Sequence, residues 1–216
     1  MLAEFRDIEL TPFKDNFGEA HLLFNGVNLD GWKVVPDEAR DSWSIKDGTI
    51  VTEGTPRGYL RTTEIFDDYV LRVQLKHFEK CNTGVLLRVQ EPDRVWPKSM
   101  EAQGWYGTVG DIFGIGWKFE ADPSRRFRDH DLDPTGRHVK KMHESNEGPL
   151  GSWIRYEIRN QGTDLELTVN RLVQNRAWNV EEKSGTIALQ AEGGKVAFRN
   201  IVLIPILRDT GGESLK

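Results

Sequence analysis

Apolar and polar residues alternate in short runs along most of this chain, at 49–52, 69–75, 84–89, 154–159, 165–169, 186–190 and 197–203. A period of two is what a strand shows when one face packs inward and the other does not. Gly, Asn or Asp stands at most of the breaks, and Asn160-Gln-Gly162-Thr-Asp164 between two runs predicts a hairpin turn. No segment keeps a helical period over three turns, so the pattern predicts an all-β sandwich of two antiparallel sheets with only short helical pieces, for example around 62–66. Near the C-terminus two strands flank Gly193-Gly194, which reads as a turn joining them. In the first of these, Ala188, Gln190 and Glu192 share one face and Ile187 and Leu189 the other. An amide and a carboxylate on one face suit either a polar cleft or a solvated outer surface.

One region breaks the rhythm. From 104 to 151 the chain is rich in Gly, Pro and charge, and a loop that long in a compact β domain is functional or disordered. Trp105, Tyr106, Phe113, Trp117 and Phe119 speak against disorder, which leaves an ordered loop excursion crossing one face of the sandwich.

Composition narrows the function. The 216 residues fit a single sandwich domain, and seven Trp supply area for a core or for stacking on a flat ligand. A net charge of −5 argues against a nucleic-acid partner. No apolar run approaches the roughly 20 residues that span a bilayer. The opening Met1-Leu-Ala-Glu-Phe-Arg-Asp7 has no apolar signal core, so the expected compartment is the cytoplasm, or the periplasm or exterior if a signal has been removed. Cys81 is the only cysteine, so no intrachain disulfide forms; with no base placed beside it, it reads as a small, half-buried turn residue.

Several residues could carry chemistry. In 98–103, Ser99, Glu101 and Gln103 face one way, and an ion pair from Arg88 on the preceding run would hold Glu101 ionised and lower its pKa. Closely spaced glycines at 107–114 let Asp111 approach the same floor, or simply form a turn. The charged arm 137–147 carries His138, Lys141 and His143, the two histidines being candidate proton carriers or solvated surface groups. Asp129, Asp131 and Asp133 begin like a calcium loop, but Pro134 stands where the sharp-turn Gly belongs and Lys140 where the closing Glu belongs. A looser metal site or a solvated turn remains. Trp105 and Trp117 are the candidates for stacking on a sugar ring, while Trp32, Trp43 and Trp153 flank strands and read as core.

Five segments carry a resemblance: Phe24-Asn-Gly-Val-Asn-Leu-Asp-Gly-Trp32, Trp43-Ser-Ile-Lys-Asp-Gly-Thr-Ile50, Asn82-Thr-Gly-Val-Leu-Leu-Arg88, Met100-Glu-Ala-Gln103 and Gly148-Pro-Leu-Gly-Ser-Trp153. In this order, over about 23–205, the chain resembles the 3-keto-disaccharide hydrolase domain family. The resemblance implies a concanavalin-like jelly-roll domain over 23–207, with an extension at 1–22 and a tail at 208–216. It implies a carbohydrate substrate and cleavage of 3-keto-glycosides by proton abstraction beside the ketone; a non-catalytic, lectin-like binding module is the alternative. Glu101 or Glu192 would then be the base or a metal ligand, Arg88, Gln103 and Gln190 would orient the sugar with Trp105, Asp111 and Lys141, and His138 or His143 would move a proton. A divalent metal would fit such a cleft, and a separate oxidoreductase would supply the keto sugar. Where many family members carry Asp-His or Ser-Glu, this chain has Ala191-Glu192.

Overall fold

The computed structural model describes residues 16–129 and 133–207. Its strands in chain order are β1 (Asn16–Phe17), β2 (His21–Leu22), β3 (Trp32–Val35), β4 (Trp43–Lys46), β5 (Thr49–Thr52), β6 (Gly58–Thr62), β7 (Tyr69–His77), β8 (Gly84–Val89) and β9 (Ser99–Gln103). There follow β10 (Ile112–Ile115), β11 (Arg126–Asp129), β12 (Asp133–Val139), β13 (Ile154–Gln161), β14 (Asp164–Val169), β15 (Leu172–Ala177), β16 (Thr186–Ala191) and β17 (Val196–Leu207). Helical turns among the described residues are the 3-10 segments Asp37–Ser42 and Pro123–Arg125; the expected piece around 62–66 is instead the end of β6 and a bridge at Phe66.

The strands form two antiparallel sheets. A nine-stranded sheet runs β15-β14-β13-β7-β17-β5-β4, with β1 and β2 also on β17, and an eight-stranded sheet runs β11-β12-β10-β9-β8-β16-β6-β3. Leu75, Tyr156, Ile158 and Phe198 from the first meet Val85, Leu87, Met100 and Leu189 from the second in one core. The extension therefore contributes β1 and β2 to a sheet, and the tail 208–216 lies outside the described residues. No helix among the described residues is long and apolar enough to cross a membrane.

Two local features set the site. The segment 104–151 is not a loop over one face: β10, β12 and β11 continue the eight-stranded sheet beyond β9. β10 and β11 have four residues each and β12, Asp-Pro-Thr-Gly-Arg-His-Val, has no apolar alternation, while Gly114 interrupts β10, where a Cβ would lie 2.3 Å from the Phe119 ring. Gly193-Gly194 joins strands of different sheets rather than a hairpin, since β16 pairs with β6 and β8 while β17 pairs with β5 and β7. At this crossing a Cβ on Gly194 would fall 2.3 Å from that of Cys81, and φ is 118°, so only glycine fits. Cys81 is buried there, and burial first, with the Glu79 carboxylate second, pushes its thiol up to about 11.

Candidate active site

The outer face of the eight-stranded sheet follows from its registers. Arg61, Ala188, Leu86, Glu101, Phe113 and His138 form one row across β6, β16, β8, β9, β10 and β12. In the neighbouring row Tyr59 pairs with Gln190, and Gly84 with Gln103. Glu101, Gln103, Gln190 and Glu192, expected on one face of their strands, thus come together from β9, β16 and the isolated bridge just past the end of β16. A cleft of about 330 Å3 lies over them, lined by Asn82, Trp96, Glu101, Gln103, Trp105, Phe113, Ile115, Arg137 and Glu192. Its size is at the lower end for small-ligand clefts, roughly 300–1,000 Å3.

The floor is built around a missing side chain. A Cβ on Gly84 would sit 2.7 Å from Glu101 Oε1 and 2.7 Å from Gln190 Oε1, so the two groups meet above the glycine. Glu101 Oε1 and both polar atoms of the Gln190 side chain are buried without a hydrogen-bond partner. Buried polar atoms are rarely left so, and Glu101, directly beside Gln190, lines the cleft. Asn82 Nδ2 donates to Glu192 Oε2 at 2.6 Å, while Asn82 Oδ1 is itself unpaired. Gln103 Oε1 accepts from the backbone N–H groups of Gly104 and Trp105 at 2.7 and 2.8 Å, which turns its NH2 into the end a ligand can use.

The two carboxylates differ. Burial, and then the Glu192 carboxylate, push Glu101 up to about 8, with the Arg137 guanidinium opposing. Burial also raises Glu192, against the pull of Arg57 and the hydrogen bond from Asn82. The expected lowering of Glu101 by Arg88 does not occur, because a β-bulge takes Arg88 off this face. Thr186 pairs with Val89 but Ala188 with Leu86, so β8 has one residue more than β16 over this stretch. Arg88 takes up the extra residue with φ 54°, which turns it inward after Leu87. It is 1% exposed and donates to Asn160 Oδ1 at 2.7 Å, Asp164 O at 3.1 Å and the Glu182 carbonyl, tying the sheets together. Gly185 makes room, since a Cβ there would lie 2.4 Å from the Arg88 carbonyl carbon.

Asp111 is buried and does not line the cleft. It accepts from the Lys141 backbone at 2.9 Å and bonds His138 Nε2 at 2.6 Å, and the His138 ring stacks on Phe113 at 4.1 Å between centroids. His138 is thus one residue beyond the cleft wall, with Phe113 between it and Glu101. Lys141 Nζ and Ser145 Oγ each donate to Gly107 O at 2.9 Å, and Gly107 N–H donates to Glu147 Oε1 at 2.6 Å, so this arm braces the turn that presents Trp105. His143 is exposed and away from the cleft lining.

Of the tryptophans, Trp105 lines the cleft and is 53% exposed, but Trp117 packs against the core with Lys98 over its ring. Trp32 and Trp43 are core, whereas Trp153 is half-buried between Lys76 and Arg199. Trp96 and Phe113 are the cleft aromatics that sequence reasoning did not assign to the site, and Trp96 was not singled out at all. It comes from the β8–β9 connection, which folds onto the outer face because Asp93 accepts from Lys33 at 2.7 Å and from Arg61 at 2.9 Å. Asn82 was visible only as part of a motif, and its grip on Glu192 depends on an isolated bridge between the two residues.

The Asp129–Asp133 turn lies partly outside the described residues. Among the described residues no group of three or more His, Cys, Asp or Glu stands together as for a metal ion. The cleft itself offers the two carboxylates and the unpaired Asn82 Oδ1 as oxygen donors.

A model of the 3-keto-alpha-glucoside-1,2-lyase-like domain matches residues 19–204. No curated protein matches. Among solved structures, a candidate glycosyl hydrolase from Parabacteroides distasonis has 20% identity and a TM-score of 0.64, over 90% of this chain and 100% of that one. A β-glucanase from Bacillus licheniformis has 11% identity and a TM-score of 0.55, over 90% and 98%. The carbohydrate-binding module CBM66 from Bacillus subtilis has 8% identity and a TM-score of 0.54, over 79% and 93%. These likenesses establish the jelly-roll sandwich fold.

Proposed function

The chain belongs to the 3-keto-alpha-glucoside-1,2-lyase-like domain family, and from that premise and the cleft geometry we propose that it cleaves 3-keto-glycosides by elimination. The observation that carries the reading is the pair of carboxylates in one cleft, one of them buried beside an unpartnered amide. A ketone at carbon 3 acidifies the hydrogen on carbon 2. Glu192, the less buried carboxylate and already held by Asn82, removes that proton. The electron pair moves into an enolate, whose oxygen is met by the NH2 of Gln103. The pair then returns to form the carbon 1–carbon 2 double bond as the carbon 1–oxygen bond breaks.

Glu101 keeps its proton at neutral pH because of its burial and gives it to the departing oxygen. The amide of Gln190 suits both states of Glu101: its oxygen accepts from the acid, and its NH2 donates to the carboxylate. Water adding across the new double bond completes a net hydrolysis. Every step uses protein groups and substrate, and a separate oxidoreductase must oxidise the carbon 3 hydroxyl beforehand.

The test is release of a chromogenic leaving group from a 3-keto-glucoside, with and without a chelator, by wild type, Glu101→Gln, Glu192→Gln and an Arg72→Gln control. Loss in the two Glu variants alone supports the reading, and chelator sensitivity would add a metal to it. No release from a panel of keto sugars, with glycan binding intact, would turn the reading to a binding module.

A further inference from the structure

The cleft has two unlike halves, and β9 runs between them. Its five residues, Ser99–Gln103, span about 14 Å at the usual rise per residue. Trp105 follows one end by two residues, Trp96 precedes the other by three, and Glu101 lies midway. At the Gln103 end the registers gather polar groups: Gln103 pairs with Gly84, Asn82 leads into β8, and Asn82 bridges to Glu192 beyond Gln190. At the Ser99 end they gather apolar ones. Ser99 pairs with Ile115, Glu101 pairs with Phe113, and the Asp93 clamp brings in Trp96. Ser99 is itself fully buried, outside the cleft lining, and donates its hydroxyl to Pro97 O at 3.1 Å. Arg137 adds a guanidinium to the cleft wall.

We infer that the Gln103 half holds the reacting keto sugar and the Ser99 half holds its leaving group, an aglycone built on an apolar aryl or alicyclic ring. This rests on the elimination reading, which puts the scissile oxygen at Glu101, on the border between the halves. A second hydroxyl-rich sugar would set most of its hydroxyls against Trp96, Phe113 and Ile115, with the Arg137 guanidinium as the charged partner this half of the wall offers. A flat apolar ring would instead bury its faces against the same side chains.

The experiment compares 2-phenylethyl 3-keto-glucoside with a 3-keto-glucosyl disaccharide. A sugar is the better leaving group by its own chemistry, so a preference for phenylethanol must come from binding. Wild type is expected to show the higher kcat/KM on the phenylethyl compound. Trp96→Ala should lower that value roughly 10- to 100-fold more than the value for the disaccharide, with Trp96→Phe restoring most of it. Equal or reversed preference, or an equal loss on both substrates, would overturn the inference. Titrating the unoxidised phenylethyl glucoside and disaccharide, by tryptophan fluorescence, separates the two levels. Turnover of neither keto substrate with tighter binding of the phenylethyl glucoside would sink the elimination reading and leave the two-halved cleft standing. No binding preference would sink the cleft assignment whatever the chemistry.

Discussion

On the outer face of the nine-stranded sheet, Arg72 meets Glu157 at 2.7 Å and Arg176 meets Glu166 at 2.7 Å, and all four side chains are at least a third exposed. On the outer face of the eight-stranded sheet, Glu101 is 6% exposed and Gln190 2%, and Glu101 Oε1 and both polar atoms of the Gln190 side chain find no partner. Both faces come from the same alternation. One pairs its charges in water, where they cost little and contribute little; the other takes polar groups out of water and leaves them unpaired, which costs stability. In the function proposed above, the face that accepts the penalty is the working one.

The sharpest way to break this contrast is to neutralise the buried carboxyl. Glu101→Gln should lower kcat by about 100- to 10,000-fold, the usual contribution of a positioned proton donor, while Arg72→Gln leaves the rate near wild type. Filling the floor comes next. Gly84→Ala has a backbone that accepts alanine but drives a methyl against Glu101 and Gln190; it should cost roughly 1–3 kcal/mol by chemical denaturation and a large part of the activity.

The same variant Glu101→Gln sharpens the contrast in a different observable. Glu101 ionises near 4.5 when unperturbed and at about 8 in the fold. Between these values the native state keeps a proton that the unfolded chain has released, so stability falls as pH rises through this window and the loss is complete above it. Glu101→Gln should flatten that slope and raise the melting temperature at pH 9 by roughly 3–8 °C, a gain in stability paired with a loss of activity. In the wild type, the rate should rise with pH as Glu192 ionises and fall again near pH 8 as Glu101 loses its proton. The smallest effect belongs to the other sheet. A double-mutant cycle on Arg72 and Glu157 should give a coupling of about 0.2–1 kcal/mol that salt diminishes.

Much of this was legible in the sequence because a strand has an unforgiving period. Glu101 with Gln103, and Gln190 with Glu192, were placed on common faces by counting in twos, and the apolar partners fell on the core side. Arg88 was misplaced by the same counting. One extra residue in β8 moved it to the opposite face, and nothing in Leu86-Leu87-Arg88-Val89 announces a bulge. The strands β10 to β12 were hidden because their neighbours supply most of what holds them. Trp96 was passed over and Trp117 wrongly expected at the cleft for a related reason: a tryptophan in a connection is exposed or buried according to what clamps that connection, and Asp93 finds Arg61 from 32 residues away. The two Gly at 193–194 signalled a tight turn correctly but could not say that the chain changes sheet there.

That crossing has a consequence for measurement. Cys81 packs against Gly194 and immediately precedes Asn82, the residue that holds Glu192. With its thiol pushed up to about 11 and its sulfur buried, a thiol reagent at neutral pH meets neither thiolate nor an open path. Modification then waits for a local opening, and its rate counts how often the Glu192 edge comes apart. A ligand that seats in the cleft should slow that clock, so the chain carries a native timer beside one of the cleft's two carboxylates.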